Sequence, residues 1–274
     1  MKWLIRGKTK SIYEDYHPDK ICLKFDDVVT ANNGDKSAIY LGKGGYTCNI
    51  SWLLFQELEK NNIATHIDTR LTNDTIICKK VDIIPIEVVV RNKAAGGLCR
   101  GTTIEEGTVM SPALVEFFLK DDSKNDPLLT GGRILKMGYD INLPNELATV
   151  AHDVNYVLKR VFDEIGYDLV DFKLELGYST TTGELLVADE ISPDSCRLWK
   201  KGTNESFDKD IYREATNELA AQREHLLDAY QQICVDLLDR KLKIEQEDAV
   251  QRTPWRSYYR SSINISPWSP VGIY

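Results

Sequence analysis

The stretch Val170-Asp171-Phe172-Lys173-Leu174-Glu175-Leu176 alternates apolar and charged residues without a break. Successive side chains of a strand point to opposite faces, so a period of two marks a strand with one buried side. Val170, Phe172, Leu174 and Leu176 are therefore expected on the core face, and Asp171, Lys173 and Glu175 on the other. A second apolar run, residues 185–191, follows the turn-rich residues 177–184, which predicts an antiparallel hairpin. With the turn centred near Thr182, Glu175 and Asp189 fall roughly opposite each other. Facing carboxylates repel unless a proton or cation lies between them. Mg²⁺, held by one or two carboxylates plus phosphates, suits such a pair. The alternative is a solvated face on which Lys173 bridges both acids.

The rest of the chain divides into recognisable elements. Residues 21–25, 75–81 and 86–90 are short apolar runs that read as strands. Residues 49–61 carry Ile50, Leu53, Leu54 and Leu58 on one helical stripe. Leu147, Val150, Val154, Val157, Val161 and Ile165 recur at steps of three and four, and Gly166 stops that helix. Ser111-Pro112 reads as a helix cap and first turn, which predicts a helix over residues 113–120. A long amphipathic helix is expected over residues 208–238. The order is β-rich, then mixed, which predicts an α+β protein of two lobes with a cleft between them. The expected division is a β-rich lobe over 1–90, an α+β lobe over 91–244, and a tail over 245–274. That tail mixes Trp255, Tyr258, Tyr259 and Trp268 with prolines. Docking on a subunit and a flexible extension are both open for it.

A length of 274 residues suffices for a sizeable core. The net charge of −8 argues against a general nucleic-acid binder, which would present a basic face. No run approaches the ~18 apolar residues of a membrane span. The N-terminus is too short to read as a secretory leader. The cysteines are scattered without a Cys-x-x-Cys, and the histidines form no His-x-x-x-His pair. This usage predicts reduced thiols in the cytoplasm and argues against a His/Cys metal centre.

Two further segments carry charge in suggestive places. Gly7-Lys8-Thr9-Lys10 can cover phosphates from a strand turn, although it lacks Walker spacing, and a basic solvent face is the alternative. In Ser192-Pro193-Asp194-Ser195-Cys196-Arg197, an arginine follows a turn beside the carboxylate pair. Its guanidinium can address a phosphate or carboxylate as a bidentate fork, or form an ordinary surface ion pair.

Together, Gly7-Lys8-Thr9-Lys10-x-Ile12-Tyr13, Pro85-Ile86-Glu87-Val88-Val89-Val90-Arg91-Asn92-x-Ala94-Ala95-Gly96, Asp171 through Gly177, Asp189 through Trp199, and Asp208-Lys209-Asp210-x-Tyr212-Arg213 resemble one family. It is the phosphoribosylaminoimidazole-succinocarboxamide synthases, or SAICAR synthetases. The resemblance is ordered and covers residues 1 to about 240. It implies a small β-rich lobe and a larger α+β lobe around an ATP cleft. It implies an ATP-dependent ligase of purine biosynthesis, joining L-aspartate to the carboxylate of an aminoimidazole ribonucleotide. Lys8 and Lys10 would lie over the ATP phosphates, Glu175 and Asp189 would hold Mg²⁺, and Lys173 would sit near the nucleotide. Arg91, Asp194 and Arg197 would line the ribonucleotide pocket. Lys173, Asp194 and Arg197 are the residues expected closest to the chemistry. Lys209 and Arg213 would meet the aspartate carboxylates. The expected partners are these small molecules, with neither nucleic acid nor membrane, and homo-oligomerisation is left open. Gly97, Arg100-Gly101 and Lys200 depart from the family's usual serine, Lys-Arg pair and aspartate. A related ligase with an altered substrate, and a nucleotide-binding relative without catalysis, are the competing readings.

Overall fold

The computed structural model describes residues 2–31, 34–214 and 220–252. Strands β1 (Trp3–Arg6), β2 (Lys10–Glu14) and β3 (Lys20–Phe25) open the chain, followed by β4 (Val28–Ala31) and β5 (Lys36–Ile39). Helix α1 (Lys43–Lys60) precedes β6 (Ile67–Arg70), β7 (Thr75–Lys79) and the long β8 (Val81–Lys93). Then come α2 (Gly97–Gly101), β9 (Val109–Leu119), β10 (Leu128–Leu129), α3 (Gly131–Lys136) and α4 (Leu143–Glu164). Strands β11 (Tyr167–Ser179), β12 (Leu185–Ala188) and β13 (Cys196–Lys200) lead to α5 (Asp210–Arg213) and α6 (Ala220–Arg252).

The strands form a five-stranded sheet ordered β1-β2-β3-β7-β6, a pair β4-β5, and a six-stranded sheet ordered β10-β9-β8-β11-β12 in which β13 also pairs β11. All pairings between these named strands are antiparallel. This is the α+β class that the order of sequence patterns predicts. By contacts the chain divides into two units, Met1–Leu237 and Leu238–Tyr274, and both large sheets fall in the first. The boundary expected near residue 90 lies inside the continuous β8. The described part of the tail, to Arg252, continues α6; its aromatic-proline segment lies outside the described residues.

One apolar core joins α1, α4 and the two large sheets. Leu54 and Leu58 of α1, Leu147, Val154 and Val161 of α4, and Val88 and Val90 of β8 are fully buried in it. The stripes at helical spacing therefore face inward as their period requires. Tyr167, Leu169, Phe172, Leu174 and Leu176 of β11 join the same core, but Val170 packs apart with Ala95 and Trp199. The reason is a bulge: Leu169 pairs with Leu198 and Asp171 with Arg197, so two residues of β11 oppose one of β13. The extra residue reverses the alternation once, which the sequence pattern does not show. A second shift, between Glu175 and Gly177, brings β8 against β11 so closely that a Cβ on Gly177 would stand 2.5 Å from the Asp82 carbonyl oxygen and 2.8 Å from the Ile83 Cα. Backbone cannot yield as a side-chain tip does. Gly177→Ala is expected to cost about 1–3 kcal/mol, lowering the urea midpoint; an unchanged midpoint would contradict this packing.

Three expected elements differ. Of the helix expected over 113–120, residues 113–119 form the end of β9 instead, because Leu114, Val115, Phe117 and Phe118 find ladder partners on β8, and Phe117 and Phe118 also on β10. Pro112, which has no N–H to give a ladder, falls where the β8–β9 register shifts between Arg91 and Lys93. The helix expected over 208–238 is divided into α5, ended by Glu214, and α6, which extends to Arg252. Helix α1 starts at Lys43, six residues earlier than its stripe suggests, with the Gly44 N–H donating to Asp27 Oδ1 at 2.9 Å.

Candidate active site

Strand β11 is flanked on one edge by two strands in succession. Strand β13 pairs with its first half, Tyr167 to Phe172, and β12 with its second, Glu175 to Tyr178. Between them the chain leaves the sheet as residues 189–195, beside Lys173, whose N–H donates to the Ser195 carbonyl at 2.9 Å. That gap opens onto a cleft of about 1580 Å³. A pocket for one drug-sized ligand typically measures roughly 300–1,000 Å³, so the cleft has room for more than one substrate. Lys8, Lys10, Arg91, Lys173, Glu175, Asp189, Asp194, Arg197, Lys209 and Arg213 all line it. Residues singled out from β2 to α5 thus meet in one place.

The charged face of β11 is paired across the sheet. Glu175 lies opposite Glu87 of β8, a like-charged pair that is repulsive alone. Lys173 Nζ donates to Glu87 at 2.7 Å and to Glu175 at 3.0 Å, and Lys120 reaches the other Glu175 oxygen. Lys173 therefore bridges two acids, as one reading of the sequence has it, but the second is Glu87 rather than Asp189. Burial disfavours its ammonium, yet Glu175 and Glu87 outweigh that and hold its pKa above the ordinary lysine value.

Glu175 faces Ala188, not Asp189. The hairpin register is one residue off that expected, and β12 ends at Ala188. Asp189 has a φ of 62°, and its carboxylate lines the cleft even though simple alternation would aim it away. Lys10 Nζ meets Asp189 at 2.7 Å and Glu190 at 2.5 Å. Burial raises the pKa of Asp189, but Lys10 and Lys173 overcome it and hold the carboxyl well below the usual carboxylate range. Lys8 is more exposed and reaches Asp122 at 2.6 Å.

On the other side of Lys173 runs a line of alternating charges. Arg91 Nε donates to Glu116 at 2.6 Å, and its Nη1 donates to Asp171 at 2.8 Å. Asp171 also accepts from Arg197 Nη1, Arg197 Nε donates to Asp210, and Arg213 Nη1 donates to Asp210 at 2.6 Å. Arg91 and Asp171 are directly opposite on β8 and β11, which explains their pairing. Gly96, at a φ of 56°, lets the backbone approach Arg197; a Cβ there would lie 2.8 Å from Nη2. Arg197 is thus no loose surface pair. Three guanidiniums fixed by carboxylates line the cleft, and such forks suit anionic oxygens.

Lys209 caps α5, and the Arg213 N–H donates to its carbonyl at 3.1 Å, so one turn carries both. Its ammonium has the Thr30 hydroxyl at 3.4 Å. Burial pushes this lysine down to about 8 against the pull of Asp194, and Arg213 and Lys43 push the same way. The Asp194 side chain is buried, accepting from Lys43 and, at 2.9 Å, from the Tyr230 hydroxyl. Of the departures, Gly97 and Arg100 line the cleft, the Arg100 guanidinium lying 3.9 Å from where a Gly97 Cβ would stand. Lys200 is exposed and does not line it.

Sequence reasoning missed Glu87, Lys120, Lys43 and Tyr230. Glu87 and Lys120 were absorbed into a strand and a supposed helix. Lys43 preceded two glycines without phosphate-loop spacing. As to a metal, the described residues hold no group of three or more His, Cys, Asp or Glu side chains arranged for one. The two carboxylates expected to hold a metal, Glu175 and Asp189, are each already balanced by lysine. Such a hard-oxygen pair fits Mg²⁺ that takes its other ligands from phosphate and water, and does not fit a self-sufficient protein cage.

The model of the SAICAR synthetase family matches residues 3–229. A phosphoribosylaminoimidazole-succinocarboxamide synthase of Prochlorococcus marinus is 43% identical over 239 residues, covering 85% of this chain and 95% of the relative. A crystal structure of the synthase of that name from Ehrlichia chaffeensis superposes with a TM-score of 0.80 at 35% identity, covering 86% of this chain and 98% of the other. A SAICAR synthetase solved in complex with ADP gives a TM-score of 0.79 at 34% identity over 85% of this chain and 96% of its own.

Proposed function

The chain belongs to the SAICAR synthetase family, and from that premise we propose how its cleft works. The protein is an ATP-dependent ligase of purine biosynthesis, forming an amide between L-aspartate and the carboxylate of 5-aminoimidazole-4-carboxylate ribonucleotide. A carboxylate does not react with an amine at neutral pH, because oxide would have to leave. Transfer of the ATP γ-phosphoryl group to the carboxylate replaces oxide by phosphate, which the aspartate amine can displace. The observation that carries the reading is the convergence of all the assigned residues on one cleft.

The chain's own residues then divide the work. Lys8 and Lys10, on the turn into β2, bind ATP phosphates by exchanging their carboxylate partners for phosphate oxygens. Lys173 stands between the two regions and steadies charge on the transferring group. Glu175 and Asp189 would hold Mg²⁺, which when bound neutralises phosphate charge. Arg91 and Arg197 bind the ribonucleotide through their free N–H groups, with Asp194 beside them. Lys209 and Arg213 orient the aspartate carboxylates so that its amine faces the activated carbonyl. We place the enzyme in the cytoplasm, in keeping with its unpaired cysteines, all buried but Cys99. We assign phosphate covering to residues 1–90 and the metal and substrate contacts to the larger lobe.

The aspartate assignment predicts a pH dependence. Lys209 is charged below about pH 8 and loses its charge above it. The KM for aspartate is expected to rise several-fold between about pH 7 and 9. In Lys209→Arg, which stays charged throughout, that rise should vanish, and in Lys209→Ala the KM should be high at every pH. An identical rise in Lys209→Arg would remove Lys209 from the aspartate site.

A further inference from the structure

Residues 189–195 bring Asp189, Glu190 and Asp194 to the cleft, yet they lie between β12 and β13, outside the strands. Their placement depends on side chains behind them. Ser51 of α1 hydrogen-bonds both the Ile191 carbonyl, at 3.1 Å, and the Ile191 N–H, at 3.0 Å. Lys43, the first residue of α1, ion-pairs with one oxygen of Asp194, and the Tyr230 hydroxyl of α6 donates to the other at 2.9 Å. The Lys43 and Asp194 side chains are 1% and 3% exposed, and Tyr230 is fully buried. The Lys43 ammonium lies 5.8 Å from the centre of the Tyr230 ring. Nothing in the reaction as derived above uses Lys43 or Tyr230. A lysine this deeply buried is rare unless it is paired.

We propose that Lys43 and Tyr230 are positioning residues for the ligation reaction: from α1 and α6 they clamp both oxygens of Asp194 and fix the loop that presents it to the ribonucleotide. The clamp ties the loop to two helices rather than to the sheet. It also keeps the carboxylate charged where burial alone would favour the acid, with Lys43 and Lys209 overcoming the burial. The inference rests on the reading of Asp194 as part of the ribonucleotide pocket.

The test compares Tyr230→Phe, Lys43→Met, Asp194→Asn and the double variant Lys43→Met/Asp194→Asn. Each substrate is varied in turn, and urea midpoints are measured. Tyr230→Phe, which removes one hydroxyl from a packed ring, should raise the KM for the ribonucleotide about tenfold and leave that for ATP within about twofold. Lys43→Met should lower the midpoint, because a buried carboxylate loses its counter-charge. Adding Asp194→Asn should restore the midpoint without restoring activity. A clamp that only stabilises the fold would move all the KM values together or none, and either result overturns the positioning role. If Asp194→Asn is impaired while Tyr230→Phe is kinetically wild type, the positioning role alone fails. If Asp194→Asn itself shows a wild-type KM for the ribonucleotide, the reading of Asp194 fails and this inference with it.

Discussion

Asp189→Asn is expected to lower kcat/KM on the order of a hundredfold while leaving the fold intact. Asparagine tolerates the left-handed backbone that Asp189 adopts at a φ of 62°, so the substitution keeps the turn out of β12 and changes only charge. That charge balances Lys10 in the ligand-free protein and is one of the two carboxylates assigned to Mg²⁺. Without it, Lys10 retains Glu190, and a bound metal would keep Glu175 alone. ATP binding measured by calorimetry should become weaker and less dependent on magnesium, and excess magnesium should recover part of the turnover. Turnover and ATP affinity equal to wild type across a magnesium titration would show the assignment wrong.

Lys173→Met should be at least as damaging, for a different reason. Lys173 separates Glu87 from Glu175, which face each other across β8 and β11. Removing the ammonium leaves two close carboxylates with only Lys120 to offset them. A fully buried pair broken in this way costs about 3–5 kcal/mol. A third of the Lys173 side chain is exposed, so a loss of about 1–3 kcal/mol is expected instead. Activity should fall by about 10²-fold or more, since the cation proposed to steady the transferring group is gone. Lys173→Met/Glu87→Gln should regain stability, because the facing pair then carries a single charge, but should not regain activity. Recovery of both together would reduce Lys173 to a counter-ion for the sheet.

The contrast between these residues shows what the sequence could and could not reveal. The charged face of β11 was legible because period two needs only local information, and the stripe of α4 was legible for the same reason. The bulge at Val170 was not, since an extra residue in a ladder is set by the partner strand. Ser111-Pro112 misled because a cap signal is local, whereas the pairing that made residues 113–119 a strand is not. Lys8 and Asp122 are 114 residues apart, and Lys43 and Asp194 are 151 apart. No spacing argument joins such pairs. The roles given to Arg91, Lys209 and Arg213 came from resemblance to a family. Periodicity alone would have left them as ordinary surface charges.

The central claim is that this one cleft joins three substrates. Its most direct test is a mass-spectrometric omission assay with purified protein, Mg²⁺–ATP, L-aspartate and 5-aminoimidazole-4-carboxylate ribonucleotide. The account predicts the succinocarboxamide ribonucleotide, with matching ADP and phosphate, only when all three substrates are present. Folded, ATP-binding protein that forms no such product from the complete mixture would contradict it and turn attention to Gly97 and Arg100, the departures that line the cleft.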